Sequence, residues 1–229
     1  CHLFYQLKEE HNVIGFDIKH GDDILHSEFP KDIDLVIHLA GLSGVRDSLD
    51  KPTDYWKTNV IGTQRLFEHY KDTRIIYASS STAHEPWKNP YAMSKYSMEQ
   101  LDHNNAVGMR FTTIYGPGAR VNMLIPKILR NDIQYINVNH VRDFIHVNDV
   151  VNAVDIMMKN TFRGVIDIGT GVSNKLVDIV DYFKIDYKSV IGGETERIDN
   201  TADTSILNKF GWRAKINLYD YIEQNKVVN

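Results

Sequence analysis

One tyrosine and one lysine in this sequence have the types and spacing of an acid/base pair. Tyr91 precedes Lys95 by four residues in SSSTAHEPWKNPYAMSKYSMEQ, residues 79–100, so on a helix their side chains share one face. A free phenol has a pKa of about 10 and is a poor base at neutral pH, whereas a neighbouring ammonium favours the phenolate. With 12 tyrosines in 229 residues, however, this spacing is expected about once by chance. The two residues are either a proton-transfer pair or ordinary residues of a surface helix.

The composition is ordinary for a globular protein and excludes several function classes. Hydrophobic residues make up 42% of the chain and charged residues 24%. The net charge of -4, without a basic run, argues against nucleic-acid binding. No apolar stretch approaches the length of a membrane span, and the first residues lack the regions of a secretory signal. We therefore expect a cytoplasmic protein that binds neither nucleic acid nor membrane.

The cysteine and histidine content predicts that the protein has no metal site. The single cysteine, Cys1, excludes an internal disulfide framework and a multi-cysteine zinc site, which favours a reducing compartment. His38 and His146 lie in apolar, strand-like runs with no second ligand at metal-binding spacing. Both are expected to be core histidines.

Short β-branched runs alternate with amphipathic segments along the chain. The runs predict buried strands at 12–17, 34–41, 74–80 and 106–113. The amphipathic segments predict helices at 2–10, 53–70 and 91–102. This alternation is typical of a parallel sheet that helices cover on both faces. Farther on, the mixture continues with longer irregular links, so we expect one sheet as the core over residues 1–115 and a C-terminal substrate cap over 116–229, with segments that return to the core and not two independent domains.

The predicted helix at 2–10 stands where a doubly wound fold would already have passed a first strand and a glycine-rich turn. In dinucleotide-binding folds an acidic residue that contacts the adenosine ribose lies about 20 residues after those glycines. Asp17 occupies that place if the glycines lie just before Cys1. We therefore expect roughly a dozen further residues, including a Gly-x-x-Gly-x-x-Gly turn, upstream. Taken alone, Asp17 can equally be a polar residue that ends a strand at a turn.

Eight segments together point to one family. They are GFD (15–17), VIHLAG (36–41), NVIGTQRLFE (59–68), ASSSTA (78–83), YAMSK (91–95), RFTTIYGPGAR (110–120), RDFIHVNDVV (142–151) and ADTSILNKFGW (202–212). In this order they resemble the extended short-chain dehydrogenase/reductase family of NAD-dependent nucleotide-sugar epimerases and dehydratases. The resemblance implies a Rossmann-like doubly wound parallel α/β sheet with a small C-terminal α/β substrate cap. It also implies NAD as cofactor, a UDP-sugar as substrate, and a homodimer through a bundle of the helices at 53–70 and 91–102.

The resemblance assigns a role to each motif residue. Tyr91 would take a proton from a sugar hydroxyl, Lys95 would favour the phenolate and hold the nicotinamide ribose, and Ser81 would hydrogen-bond the same sugar oxygen. Arg142 would meet the nucleotide diphosphate, and Asn59 would serve the cofactor or tie neighbouring strands and loops together. The implied cofactor-binding residues are Asp17, Ile18, Leu39, Ala40, Gly41, Asn59, Ser79, Tyr91 and Lys95. The implied substrate-binding residues are Ser80, Ser81, Thr113, Arg120, Arg142 and Arg46.

The residues after Ser81 indicate which reaction the resemblance implies. Dehydratases of the family carry an Asp-Glu pair there, and the related decarboxylases carry a Glu at the second place. Here Thr82 and Ala83 occupy these places, and neither can protonate or deprotonate carbon. Epimerisation at C4 needs no such group. AGLSGVRDSLDKP (40–52) and RFTTIYGPGAR are similar to UDP-glucuronate 4-epimerases, in which a threonine and an arginine seven residues later, here Thr113 and Arg120, hold the sugar carboxylate.

Three alternatives remain open at this level. The chain could be another epimerase, dehydratase or decarboxylase of the family, or a non-catalytic protein that binds NAD. It could also be a reductase that consumes NADPH, although Asp17 would place a negative charge against the 2'-phosphate. The Tyr91, Lys95 and Ser81 set favours an enzyme over a non-catalytic binder.

Overall fold

The computed structural model describes residues 2–226, and its first half alternates strands with helices. The elements up to residue 111 are α1 (His2–Leu7), β1 (Leu35–His38), α2 (Val45–Asp50), α3 (Pro52–Tyr55), α4 (Gly62–His69), β2 (Arg74–Ser80), α5 (Pro90–Glu99) and β3 (Ala106–Phe111). A π-helical turn, Trp56–Ile61, joins α3 to α4 without a break. Short 3-10 turns form at Ile18–His20, Ser81–His84 and Pro86–Lys88.

The second half has shorter strands between its helices. Its elements are β4 (Thr113–Tyr115), α6 (Leu124–Leu129), β5 (Tyr135–Asn137), β6 (Val141–Arg142), β7 (Phe144–His146), α7 (Val147–Met158), β8 (Gly164–Ile168), β9 (Asn174–Lys175), α8 (Leu176–Tyr182), β10 (Lys188–Val190), α9 (Ser205–Lys209) and α10 (Leu218–Asn225).

A four-stranded parallel sheet in the order β1-β2-β3-β8 carries the fold. Strand β1 pairs in parallel with β2, in a register that sets His38 opposite Tyr77. In β2 the consecutive residues Ile75 and Ile76 are both fully buried, as expected for a strand covered on both faces. This arrangement confirms the predicted Rossmann-like doubly wound α/β fold.

The chain divides into two compact units. The first runs to Arg110 and adds Val154–Ile166, and its core packs β2 against α4 through Leu66, Phe67, Ile75 and Tyr77. The second contains Phe111–Ala153 and the chain from Asp167 onward.

The second unit is built on three two-stranded ladders. Strands β4 and β7 pair in parallel, as do β5 and β10, whereas β6 and β9 pair antiparallel. Its core consists of buried residues from the strands and from α6, α8 and α10: Tyr115, Ile125, Ile128, Ile136, Phe144, Ile179, Val180, Ile185, Leu218 and Ile222. A small α/β unit of this kind is what the sequence predicts for a cap, and the predicted domain boundary at residue 115 stays a prediction.

Two of the predicted elements are wrong in detail. Residues 12–17, predicted to be a strand, join no ladder with the rest of residues 2–226, and a strand needs a paired neighbour. The predicted strand at 106–113 ends at Phe111 because the chain changes its partner strand: the Thr112 N–H still donates to the Ile168 carbonyl of β8 at 3.0 Å, whereas Thr113 starts β4, which pairs with β7.

Residues 2–226 contain neither a helix long and apolar enough to cross a membrane nor a cluster of three His, Cys, Asp or Glu side chains that could hold a metal ion. The helix α7, with 12 residues, is far shorter than the about 20 residues that a span requires.

Candidate active site

The carboxyl ends of β1 and β2 bring two of the predicted segments to one edge of the sheet. Because His38 lies opposite Tyr77 in a parallel ladder, Leu39–Gly41 and Ser79–Ser81 continue side by side beyond that register. In open α/β sheets, ligands bind in the crevice outside the carboxyl ends of the strands. The site described below therefore lies at the edge where this fold class binds ligands.

Helix α5 supplies the tyrosine and the lysine. The Asn89 side chain caps the helix by accepting from the Ala92 N–H at 2.8 Å, and Pro90 occupies the first helical position. Tyr91 is thus in the first turn and Lys95 one turn later on the same face. The helix packs against β2 and against the Ser81–His84 turn. The fold therefore gathers the three predicted catalytic residues within the first unit.

Tyr91 is only partly buried, with its ring packed edge-to-face on Tyr55 at 6.0 Å between centroids. The Tyr55 hydroxyl in turn donates to the Ser43 and Gly44 carbonyls at 2.9 and 3.0 Å. The loop after β1 and helix α3 thus fix the aromatic support on which the Tyr91 ring rests.

The Lys95 amine is buried at the carboxyl edge. Its Nζ donates to the Ala78 carbonyl of β2 at 2.8 Å, and the residue is only 5% exposed. Burial lowers the pKa of Lys95 to about 8, and the neighbouring Glu99 carboxylate opposes this shift. A buried amine whose charge is costly to keep is more typical of a functional site than of a solvated helix face.

Gly41 and Asn59 form the floor beside this amine. A Cβ added at Gly41 would come within 2.9 Å of Asn59 Oδ1 and 3.4 Å of Lys95 Nζ, so the backbone approaches where a side chain would not fit. Asn59, fully buried in the π-helical turn, accepts from the Leu42 N–H at 2.8 Å and donates to the Leu42 carbonyl and Ser94 Oγ. The amide therefore ties the loop after β1 to α5, the tying role expected of it.

The three serines differ in what their hydroxyls contact. Ser79 Oγ donates to the Glu99 carboxylate. Ser80 Oγ caps the following 3-10 turn and accepts from the Thr82 hydroxyl at 3.0 Å. Ser81 begins that turn and is 4% exposed. The Ser79 hydroxyl is thus engaged within the protein, so its predicted contact with cofactor would fall to its backbone.

The remaining predicted residues of the first unit lie near the surface. Asp17 caps the Ile18–His20 turn by accepting from the Lys19 N–H at 2.9 Å, and it is exposed. Its capping role matches the turn alternative, although an exposed carboxylate can still accept a further hydrogen bond. Also exposed are Ile18, Leu39, Ala40 and Arg46.

The second unit holds the three predicted substrate-binding residues beyond β3. Thr113 begins β4, and its Oγ1 accepts from Asn200 Nδ2 at 3.1 Å. Arg120 is exposed in the loop that follows β4, where its carbonyl accepts from the Met123 N–H. Arg142 in β6 is largely buried: its guanidinium donates to the Ile198 carbonyl at 2.8 Å.

Two further interactions were not predicted from the sequence. The Nε2 atom of His38 shares a hydrogen bond with Thr63 Oγ1 at 2.9 Å. Burial, and to a smaller extent the charge of Lys95, lowers the pKa of His38 to about 3, so this histidine is neutral. Glu99 forms a two-point ion pair with Arg110. Glu99 continues the four-residue spacing of Tyr91 and Lys95, but this spacing does not show that the carboxylate is buried.

Comparison with known proteins shows which family this chain is similar to. The family model of the NAD dependent epimerase/dehydratase family matches residues 4–169, more than half of the chain. A UDP-glucuronate 4-epimerase of Thermodesulfobacterium geofontis is 30% identical over 65% of this chain and 56% of its own. A UDP-glucose 4-epimerase of Yersinia enterocolitica is 27% identical over 83% and 74% of the two chains. MoeE5, solved in complex with UDP-glucose and NAD, is 28% identical with a TM-score of 0.74, covering 84% of this chain and 78% of that one.

The chain spans only part of several relatives. It covers 63% of an uncharacterized protein of Methanocaldococcus jannaschii that is 29% identical over 76% of this chain. The family match nevertheless confirms the resemblance and the NAD dependence that the motifs imply. The chain belongs to the NAD-dependent epimerase/dehydratase family of nucleotide-sugar enzymes.

Proposed function

We propose that this protein epimerises a UDP-sugar at C4, converting UDP-glucuronate to UDP-galacturonate through a 4-keto sugar. The observation that carries the proposal is the buried Lys95 amine beside Gly41, one helical turn from Tyr91. Burial of this amine costs free energy that a purely structural lysine would avoid by reaching solvent.

The residues at the carboxyl edge fit NAD. The missing Cβ of Gly41 makes room for Asn59 Oδ1 and the Lys95 amine, which lie 2.9 and 3.4 Å from the place that it would occupy, and the Gly41 backbone itself is exposed. Lys95 Nζ has three donor positions, of which Ala78 takes one, so it can also donate to a ribose hydroxyl. Asp17 would accept from the adenosine ribose. When bound, NAD supplies a reversible hydride acceptor at the sugar C4.

The proton chemistry belongs to Tyr91. Its phenolate takes the proton of the C4 hydroxyl as that carbon is oxidised, and it returns the proton to the same oxygen when the ketone is reduced on the opposite face. The Lys95 ammonium favours the phenolate by its charge. Ser81 donates to the C4 oxygen and aligns it with the phenol.

Epimerisation is preferred to elimination because neither of the two residues that directly follow Ser81 is an acid or a base. Thr82 uses its hydroxyl to donate to Ser80 Oγ, and Ala83 is buried. Neither can take a proton from C5 or donate one to a leaving hydroxyl. Elimination is therefore disfavoured, and reduction of the ketone completes the epimerisation.

The uronate carboxylate would be held by Thr113 and Arg120, and the diphosphate by Arg142. A guanidinium matches a carboxylate by two parallel hydrogen bonds, which would also restrain loss of CO2 from the 4-keto uronate. The UDP-glucuronate 4-epimerase of Thermodesulfobacterium geofontis, at 30% identity, supports this substrate class. Arg46 would assist at the mouth of the site.

The test is incubation of the protein with NAD and either UDP-glucuronate or UDP-glucose, followed by NMR of the sugar C4 proton. We expect galacturonate to form faster than galactose. Arg120→Met should raise the KM for UDP-glucuronate about 10- to 100-fold, the size of one charged hydrogen-bond contact, and leave that for UDP-glucose unchanged. Formation of no epimer from either sugar would contradict the proposed function.

A homodimer would form through the outer faces of the helices at 53–70 and 91–102. Four large apolar side chains on these helices are exposed: Trp56, Ile61, Met93 and Tyr96. Exposed apolar patches of this kind mark protein interfaces. We expect sedimentation equilibrium to give twice the chain mass of 26.4 kDa, and the monomer mass would contradict the dimer.

A further inference from the structure

Glu99 is a buried carboxylate that the catalytic scheme above does not use. Its side chain is only 1% exposed, although it lies at the end of α5, where a glutamate could easily reach water. A charge in this position is costly unless it is paired and hydrogen-bonded. Its retention beside Lys95 therefore calls for a partner and a role.

The partners come from two neighbouring strands. Arg110 of β3 donates two hydrogen bonds to the Glu99 carboxylate: Nε lies 2.8 Å from Oε1, and Nη2 lies 2.6 Å from Oε2. The Ser79 hydroxyl of β2 donates to the same carboxylate. The three side chains thus clamp the end of α5 to the sheet, immediately after Ala78, whose carbonyl holds Lys95.

The clamp acts on Lys95 by position and by charge. Glu99 follows Lys95 by one helical turn, so the two share a face of α5. Glu99 raises the pKa of Lys95 against the larger, lowering effect of burial. Arg110 carries the opposite charge and reaches the same carboxylate, so it offsets part of that effect.

Other ionisable groups surround the pair. The elements packed against α5 carry Arg46, Asp47, Asp50, Asp54, Tyr55, Lys57, Arg74, Tyr77, His84 and Lys88, with Glu85 between the two 3-10 turns. His38 is neutral in the fold, since its pKa falls to about 3, and Tyr77 has its pKa raised by burial and by Glu99. Glu85 pairs with Lys88 at 3.3 Å. Among the carboxylates, it is Glu99 whose charge raises the pKa of Lys95.

We propose that Glu99, held by Arg110 and Ser79, is a positioning residue that fixes the turn of α5 carrying Lys95 and keeps the Lys95 amine protonated. This inference rests on the proposed function, because a protonated Lys95 is what favours the Tyr91 phenolate. Through Lys95, the pair sets the pH above which the enzyme loses activity.

Three variants separate charge from structure. Glu99→Gln keeps a side chain that can meet Ser79 and removes the negative charge, so the alkaline limb of the kcat profile should move down by about one pH unit. Arg110→Gln removes the cation that pairs with the Glu99 carboxylate, so the alkaline limb of the kcat profile should move to higher pH. The double variant Glu99→Gln/Arg110→Gln leaves no unpaired buried charge, so it covers the case that a single variant fails to fold, and its alkaline limb should lie between those of the two single variants and below that of the unmodified protein.

A titration that needs no activity separates this inference from the proposed function. In protein labelled with 13C-lysine, the Lys95 Cε resonance, assigned by its loss in Lys95→Met, should titrate near pH 8 and shift in opposite directions in the two single variants. Opposite shifts without any epimerase activity would support the positioning role and contradict the proposed function. Unchanged midpoints, or shifts of the same sign in both single variants, would overturn the positioning role.

Discussion

Tyr91→Phe should lower kcat for conversion of UDP-glucuronate by roughly 10³-fold, the usual range for removing a general acid/base. The substitution deletes one oxygen and keeps the ring that packs on Tyr55, so α5 and the carboxyl edge should be unchanged. KM should change little, because the phenol acts on the reacting proton and the rest of the sugar nucleotide is held elsewhere. Initial rates of epimer formation, measured by NMR, check this prediction.

Tyr96→Phe provides the matched control for that variant. Tyr96 lies on the same helix five residues later and is 37% exposed, and its substitution removes the same hydroxyl. We expect its kcat to stay within about twofold of the unmodified protein, because the substitution keeps the apolar ring on the proposed dimer face and removes only a hydroxyl outside the catalytic set. Equal losses in the two variants would mean that the hydroxyl of Tyr91 has no special role.

Lys95→Met should make the protein more stable and less active. The pKa of Lys95 falls from its ordinary 10.5 to about 8, which corresponds to about 3 kcal/mol of burial cost at neutral pH. Methionine has a similar length and avoids this cost, although it leaves the Ala78 carbonyl without its donor, a loss of about 1 kcal/mol. We therefore expect the free energy of unfolding at pH 7 to rise by about 1–2 kcal/mol while kcat falls about 100-fold or more.

The difference in stability between Lys95→Met and the unmodified protein should depend on pH. Between the folded pKa of about 8 and the ordinary 10.5, the unfolded chain binds more protons than the folded one, so the unmodified protein becomes more stable as pH rises. The advantage of Lys95→Met should therefore shrink from pH 7 to pH 10 in urea denaturation. Lys71→Met, at an exposed position, should show neither change. A less stable Lys95→Met variant with full activity would contradict the assignment.

Local spacing predicted much of the site. The spacing of four positions from Tyr91 to Lys95 predicted a common helix face, and the strand predicted at 74–80 is β2, Arg74–Ser80, with its serines at the carboxyl end. Both features depend on residues close in sequence, for which periodicity and capping are direct signals. Asn59 was likewise expected to tie strands and loops, and it joins Leu42 to Ser94.

Features that depend on distant partners were not predictable in this way. The clamp of Glu99 by Arg110 joins α5 to β3, and no local pattern shows that a glutamate at a helix end will be buried. The strand expected at 12–17 had the right composition, but strand formation also requires a paired neighbour. The packing that makes Gly41 necessary appears only when Asn59 and Lys95 converge on it.

The most direct test of the central claim follows the hydrogen on C4. UDP-glucuronate carrying deuterium at C4 is incubated with the protein and NAD in ordinary water, and the product is examined by NMR. Tyr91 moves only the hydroxyl proton, and the hydrogen that leaves C4 returns to it, so UDP-galacturonate should keep its deuterium. Galacturonate with protium at C4, or no epimer at all, would contradict reversible oxidation at C4 by this site.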